Sequence, residues 1–452
     1  MKIIICGCGR IGYPVIRDLL EEGHQLTVID ENQRAINDIQ NTFDVMTLCG
    51  NCATASALRD AAVDKADLLI ALTAKDEINL LSCMTSHSIN PKIHTIARIR
   101  NPEYIEQVAS MQKLTGLSMI INPEQSVADE IYKLLKMPGF MRRETFARGQ
   151  VEIVELKADR GSPLCGLALN QLAGTIKCKV LVCAIVREGT CLIPKGNHTI
   201  QEGDRIYVTA PSDSLAILLK NLNITTHRVK DCMIIGGGRI SYYLGQRLIN
   251  SGIKVKIIEQ SEETSQLIMT QLPRCTVVHE DPQDQEQLIK EGIESFDSLV
   301  TLTGQDSVNA ITSLFGASLG IPTIVTKFDQ MSSSQLLGKL PLGSIVRPQD
   351  LAGNAIERFV RAMQNQTGAA VAVHTIADGL AEALEFEVDE NTLHKDEPFR
   401  SFKLRAHTLI ACVTSGYTTE IPNGDSKFSL GDTIVVVTNQ AGSVTQLNDI
   451  FM

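Results

Sequence analysis

Ile3-Ile-Ile-Cys-Gly-Cys-Gly-Arg-Ile-Gly12 decides the reading of this chain. A run of β-branched residues leads into Gly7-x-Gly9-x-x-Gly12, and an amphipathic stretch over 11–22 follows at once. Strand, glycine turn and helix in that order open a dinucleotide-binding unit. The first glycine lets the chain turn, the second lets a pyrophosphate approach the backbone, and the third allows close helix–strand packing. Amides at the helix start then face the phosphates, with the helix dipole behind them. Asp30 follows the strand Gln25-Leu-Thr-Val-Ile29, 18 residues after the last glycine. A carboxylate there accepts hydrogen bonds from a ribose diol and repels a 2′-phosphate, which favours NAD or an adenine nucleotide over NADP.

The motif recurs. Met233-Ile-Ile-Gly-Gly-Gly-Arg-Ile-Ser241 answers it, with Gly236 lying 229 positions after Gly7. Glu259 stands 229 after Asp30, and Thr301-Leu-Thr-Gly-Gln-Asp-Ser-Val-Asn309 matches Ala71-Leu-Thr-Ala-Lys-Asp-Glu-Ile-Asn79. Pro194-Lys-Gly196 with Glu202-Gly-Asp204 matches Pro422-Asn-Gly424 with Leu430-Gly-Asp432. A near-constant offset over this span means a tandem duplication. Within the first half, apolar strands over 2–6, 25–29, 45–48, 68–72, 94–99 and 117–121 alternate with helix-length stretches such as 11–22 and 78–86. That alternation predicts a parallel sheet covered on both faces. A helix over 124–136 follows, stopped by Met137-Pro-Gly139. From residue 148 the pattern turns to short strands over 151–156, 180–186 and 205–209, a small α+β lobe. The expected class is therefore α/β: two tandem Rossmann-like doubly wound lobes, each followed by a small α+β lobe. The expected units are 1–138, 139–228, 229–366 and 367–452.

Composition narrows the function. The 452 residues carry 42 Lys plus Arg against 52 Asp plus Glu, a net charge of −10. Nucleic-acid binding needs clustered cations, and the longest basic run singled out is the pair Arg142-Arg143, so no nucleic-acid partner is expected. The apolar runs are strand-length, far short of the ~20 residues of a membrane helix. Twelve cysteines lie mostly inside apolar runs and read as small buried hydrophobes of a reducing compartment. Cys49-Gly-Asn-Cys52 has metal-site spacing but lacks a second ligand pair, so no metal is expected.

Further residues bear on the anion. Arg10 and Arg239 sit at equivalent places in the two loops, where the helix dipole disfavours a cation unless a phosphate is present. Arg98 ends the fifth strand and can approach the same anion from the crevice side, with Lys327 as its counterpart. Ser241 replaces the third glycine, so its side chain either pushes helix and sheet apart or donates its hydroxyl to a phosphate. Tyr132-x-x-x-Lys136 has the spacing of a short-chain dehydrogenase pair, with Ser118 upstream. Its place on a helix striped by Val127, Ile131, Leu134 and Leu135 favours an exposed pair at helical spacing, and no catalytic residue is assigned.

Residues 1–32, Cys49-Gly-Asn-Cys-Ala-Thr54, Ala66-Asp67, Asp76-x-x-Asn79 and Ala97-Arg-Ile-Arg-Asn-Pro-Glu-Tyr104 together resemble the RCK (KTN) domain family. The small lobes, with Gly161-Ser-Pro-Leu-x-Gly166 and the repeated Pro-x-Gly and Gly-Asp pairs, resemble the RCK C-terminal domain. The tandem order resembles cytoplasmic regulators of Trk-type potassium uptake. Asn51, where the family usually has aspartate, and Ser241 are its departures from the pattern. The resemblance implies NAD(H), ADP or ATP in the Rossmann-like lobes and a homo-oligomer, a tetrameric ring. It implies a location in the cytoplasm, peripheral on the inner face of the membrane, docked under a membrane-embedded Trk-type potassium transporter subunit. In the first lobe the expected contacts are Gly7, Cys8, Gly9, Arg10, Ile11 and Gly12 of the loop, then Asp30, Glu31, Asn51, Cys52, Thr73, Ala74, Asn79 and Arg98. In the second they are Gly236, Gly238, Arg239 and Ile240, then Glu259, Gln260, Asp281, Thr303 and Lys327. Two other classes stand beside this reading: an NAD-dependent oxidoreductase, and a stand-alone cytosolic nucleotide sensor.

Overall fold

The structure is a computed structural model. It describes all residues except 111–115, 137–139, 141, 159–160, 177, 212–213, 223–228, 330–339, 365–369, 417 and 441. The expected stop at Met137-Pro-Gly139 and the end of the second Rossmann-like unit near residue 366 lie outside the described residues.

The first sheet contains β1 (Lys2–Cys6), β2 (Gln25–Asp30), β3 (Met46–Cys49), β4 (Leu68–Ala71), β5 (His94–Arg98) and β6 (Met119–Ile121). All its pairings are parallel and the order is 3-2-1-4-5-6, the doubly wound arrangement. Ile3 to Cys6 are at most 1% exposed because helices cover both faces of the sheet. The order reverses between β1 and β4, and the crevice above their carboxyl ends is where a ligand is bound in such sheets.

A five-stranded antiparallel sheet follows: β7 (Arg142–Phe146), β8 (Val151–Lys157), β9 (Leu181–Arg187), β10 (Thr190–Leu192) and β11 (Arg205–Pro211), in the order 10-9-11-8-7. The first of these strands precedes the point where the sequence pattern was read to change. Its charged residues satisfy one another across the sheet: Arg143 Nε donates to Glu152 Oε2 at 2.7 Å. The second half repeats both designs. Strands β12 (Asp231–Ile235), β13 (Lys254–Glu259), β14 (Thr276–His279), β15 (Ser298–Thr301), β16 (Thr323–Lys327) and β17 (Ser344–Val346) form the order 14-13-12-15-16-17. Strands β18 (Ala372–Ile376), β19 (Ala381–Glu387), β20 (Thr408–Ser415), β21 (Thr418–Glu420) and β22 (Thr433–Thr438) form 18-19-22-20-21. The small sheets share one apolar cluster, in which Phe146, Ile153 and Tyr207 meet Ile376, Ala383 and Val435.

The halves exchange helices. Helix Pro123–Lys136, which closes the first Rossmann-like lobe in sequence, buries Val127, Ile131, Leu134 and Leu135 against Tyr243, Leu244 and Leu248 of the second lobe. Reciprocally, helix Pro348–Gln364 buries Ala352, Ile356 and Val360 against Val15, Ile16 and Leu19 of the first. Each fully buried aliphatic side chain on these faces contributes about 1.5–3 kcal/mol to holding the lobes together. Polar contacts set the register. Tyr243 OH donates to the Arg100 carbonyl at 2.8 Å and accepts from Asn122 Nδ2 at 2.9 Å. Among the described residues, no helix is long and apolar enough to cross a membrane.

Candidate functional site

Gly7 sits at φ +95°, and a Cβ there would lie 3.0 Å from the backbone of Leu72 and Thr73. Only glycine meets both demands. A Cβ on Gly12 would lie 2.0 Å from the Gly7 carbonyl oxygen, so the third glycine lets helix Gly12–Glu21 start directly on the turn. Gly9 faces open space: a Cβ there meets nothing within 4 Å. The carboxylate of Asp30 is fixed by backbone N–H groups, from Cys8 at 2.9 Å and Asn32 at 2.8 Å. The Cys8 thiol also donates to it, at 3.3 Å, and burial together with Asp30 pushes that thiol up to about 12.

These groups open into a cavity of about 670 Å³ that spans the lobe junction, within the range of small-molecule sites. Of the expected first-site residues, the loop supplies Gly7, Gly9, Arg10 and Ile11, the end of β2 supplies Asp30 and Glu31, and Cys52, Thr73, Ala74 and Arg98 complete the set. Cys8, Gly12, Asn51 and Asn79 do not line it. Asn79 is fully buried and holds the floor together. Its Oδ1 accepts from Thr73 N and Oγ1 at 2.8 and 2.7 Å, while its Nδ2 donates to the Arg98 carbonyl at 2.9 Å. Asn51 turns away, its side chain accepting from Ala53 N at 2.9 Å.

The second lobe closes the cavity with Ile240, Lys327, Asp329, Pro348 and Gln349. Lys327 and Ile240, expected at the second loop, therefore reach the first one, because the helix exchange brings the end of β16 over it. Lys327 is 5% exposed and pairs with Asp329 at 2.6 Å, and Asp329 also stands 3.5 Å from Arg10. Arg98 donates to Glu124 at 2.7 Å, and burial lowers its pKa although Glu124 opposes the shift. Its Nε is buried with no protein partner, a donor that an anion in the cavity would satisfy. Five cations line this space: Arg10, Lys75, Arg98, Arg100 and Lys327. Sequence reasoning missed Lys75, Arg100, Glu124, Asp329, Pro348 and Gln349. Arg100 lay inside the quoted Ala97–Tyr104 stretch, and the repeat offset leads from it to Asp329.

The second loop builds a smaller cavity of about 330 Å³, lined by Gly236, Gly238, Glu259, Gln260 and Thr303 of the expected set. Gly237, Thr264, Pro282 and Gln305 also line it, whereas Arg239 and Asp281 do not. No Lys or Arg is among its described lining residues. Of the two roles open to Ser241, the phosphate one is not available in this conformation: its buried hydroxyl donates to the Gly236 carbonyl. The helix on this side begins at Arg239, two positions earlier in register than its counterpart.

Tyr132 and Lys136 lie far from this chemistry. Tyr132 OH meets Ser251 Oγ at 2.6 Å on the exchanged helix, with Lys136 Nζ 5.3 Å from the ring centre, and neither residue lines either cavity. Cys49 is exposed, whereas Cys52 is buried and accepts from Ser82 Oγ at 3.3 Å. All twelve cysteines are free thiols. Among the described residues, no group of three or more His, Cys, Asp or Glu side chains is placed to hold a metal ion.

The TrkA-N domain model matches residues 3–123 and 232–348, together more than half of the chain, and the TrkA-C domain model matches 153–223. The Trk system potassium uptake protein TrkA of Haemophilus influenzae is 28% identical over 100% of this chain and 98% of its own length. The crystal structure of the GsuK RCK domain superposes with a TM-score of 0.62 at 16% identity, covering 97% of this chain and 92% of that one. The GsuK channel bound to NAD gives 0.62 at 17% identity, covering 97% and 77%. At such identities these structures establish the fold alone.

Proposed function

Because this chain belongs to the TrkA-N domain family, we infer that it is a nucleotide-binding regulatory subunit of a membrane potassium uptake system of the Trk type. The observation that carries the reading is the shared first cavity, in which a ligand held by Gly9 and Asp30 of one lobe also meets Lys327 and Ile240 of the other. A ligand shifts a conformational equilibrium only through different contacts in the two states. A nucleotide seated across the junction supplies such a difference. NAD(H), ADP or ATP fits the residues present. Asp30 takes the ribose, the open face at Gly9 takes the phosphates, and the orphaned Arg98 Nε with Arg10 takes the outer charge.

In this reading the four units run over 1–138, 139–228, 229–366 and 367–452, and the chain works in the cytoplasm, docked on the inner face of the membrane beneath its transporter. It assembles with further copies into a ring, which we take as tetrameric. The second cavity takes a nucleotide more weakly. A catalytic role gains no support from Tyr132 and Lys136, which stand at the lobe junction away from either cavity.

The test is purification of the chain with its membrane partner, identification of bound nucleotide by mass spectrometry, and calorimetry with NADH, ADP and ATP. Asp30→Ala is expected to weaken binding by about 1–3 kcal/mol, the scale of a lost charged hydrogen bond. A folded Asp30→Ala chain with unchanged affinity for all three nucleotides would remove the proposed site. A chain that never accompanies a potassium transporter would remove the proposed partner.

A further inference from the structure

Where the exchanged helix Pro348–Gln364 meets helix Gly12–Glu21, carboxylates face one another as well as aliphatic side chains. Asp18 and Glu22 come from the first lobe; Glu357 and Arg361 come from the exchanged helix. Gly353, one turn before Glu357, leaves room between them. A Cβ on it would lie 3.8 Å from Asp18 Oδ2 and 3.9 Å from Glu357 Oε1, so both carboxyl groups reach one point of the interface. Two ionised carboxylates converging on one point of a half-buried seam repel, and a proton shared between them removes that repulsion.

The surroundings neutralise that pair only in part. Arg361 is committed to Glu22, donating through Nε at 2.7 Å and also through Nη2. His24 stands 3.4 Å from the other oxygen of Glu22. Arg17 pairs with Asp18 at 2.8 Å but is half exposed, and Glu21 and Asp350 add negative charge beside it. Glu382, on β19 of the last small lobe, faces Arg361 and Glu22. Burial, with Asp18 and Glu22 adding to it, pushes Glu357 up to about 7. Burial raises Asp18 too, with Arg17 opposing. For Glu22 the balance is reversed, since His24 and Arg361 together outweigh burial and its pKa is lowered.

We propose that Asp18 and Glu357 form a proton-operated clamp between the two lobes. With one proton shared, the exchanged helix is fastened to helix Gly12–Glu21; without it, two anions face each other in a half-buried seam and the helix loosens. The same helix begins at Pro348 and Gln349 on the wall of the first cavity, and its partner begins at the glycine loop. The state of the clamp is therefore felt where the two lobes enclose that cavity, whatever the cavity binds.

The direction follows from linkage. Glu357 titrates near 4.5 when free and near 7 when docked, so docking is fully favoured below the lower value. It weakens as pH rises through that window and is constant above it. Glu22 acts in the opposite sense only in more acid solution, where its pairing with Arg361 is lost as pH falls.

Hydrogen–deuterium exchange of the full chain between pH 5.5 and 8, corrected for intrinsic rates, reads the clamp directly. Protection of amides in 348–364 is expected to fall about tenfold or more across that range in the wild type. Glu357→Gln keeps a hydrogen-bond donor without the charge, so it should hold the high protection throughout. Asp18→Asn should do the same from the other helix, which covers the case in which the first variant misfolds. Wild-type protection that does not change with pH overturns the proposal by itself. So does a pH profile for a folded variant that runs parallel to the wild type.

Discussion

The two glycine loops descend from one ancestral unit, yet they have become different sites. The first places a cavity of about 670 Å³ under five cationic side chains; the second has about 330 Å³ and no described Lys or Arg on its wall. Four local differences separate the two. Gly12 lets its helix start on the turn, whereas Ser241 spends its hydroxyl on the Gly236 carbonyl. Lys75 of the first lobe corresponds to Gln305 of the second, and Glu31 to Gln260. Lys327, the counterpart of Arg98, serves the opposite lobe. A duplication thus doubled the scaffold while the charge collected on one side of the junction.

The sharpest way to break the contrast is to give the first loop the residue of the second. Gly12→Ser forces a Cβ to within 2.0 Å of the Gly7 carbonyl unless the turn rearranges. The expected costs are about 2–4 kcal/mol of stability by urea unfolding and a fall in nucleotide affinity of at least about tenfold. If calorimetry gives wild-type affinity, the third glycine does not set the difference between the sites.

Removing the arginines has a smaller effect. Arg10→Ala is expected to weaken ATP binding by about 1.5–3 kcal/mol, the range for a hydrogen bond to a charged group, and AMP binding by less. Arg239→Ala should change affinity by under about 0.5 kcal/mol, because Arg239 stays off the second wall. In proteoliposomes holding the transporter, Arg10→Ala should blunt the ATP response of potassium flux. Equal losses for AMP and ATP would show that Arg10 does not read the outer phosphates.

The smallest effect concerns Asp329, the acid that occupies both Arg10 and Lys327. Asp329→Asn frees the two cations for phosphate and should tighten ATP binding about threefold at the first site. The second should be unmoved. Weaker binding would mean that Asp329 positions Lys327 rather than competing for it.

Much of this was legible in one dimension. The strand–glycine–helix opening, the 229-residue offset and the alternation of apolar runs lead directly to two doubly wound parallel sheets, while their strand order is seen only in the structure. The stripe Val127, Ile131 and Leu134 was readable as a buried face, but periodicity names a face and never its partner, so the exchange of helices was hidden. For the same reason Lys327 was assigned to the wrong loop. Strand Arg142–Phe146 escaped because its pattern is charged: Arg143 is matched by Glu152, and the Glu144 carboxylate by His374 at 2.9 Å, partners distant in sequence. Asn79 was found but its task was not, since a fully buried amide that ties the ends of two strands looks like any loop polar residue in the sequence.

The exchanged helices also set an order of events during synthesis. The first sheet is complete once Ile121 has been made, but the face that Ile356 and Val360 cover stays bare until the chain reaches Gln364. At a ribosomal pace of about 5–20 residues per second that gap lasts roughly 10–50 s, long compared with the collapse of an isolated domain. A nascent chain stalled or cleaved between the halves presents uncovered aliphatic surface, the kind of surface that chaperones and proteases recognise. Quality control can thus read whether the second half has arrived before any nucleotide is bound.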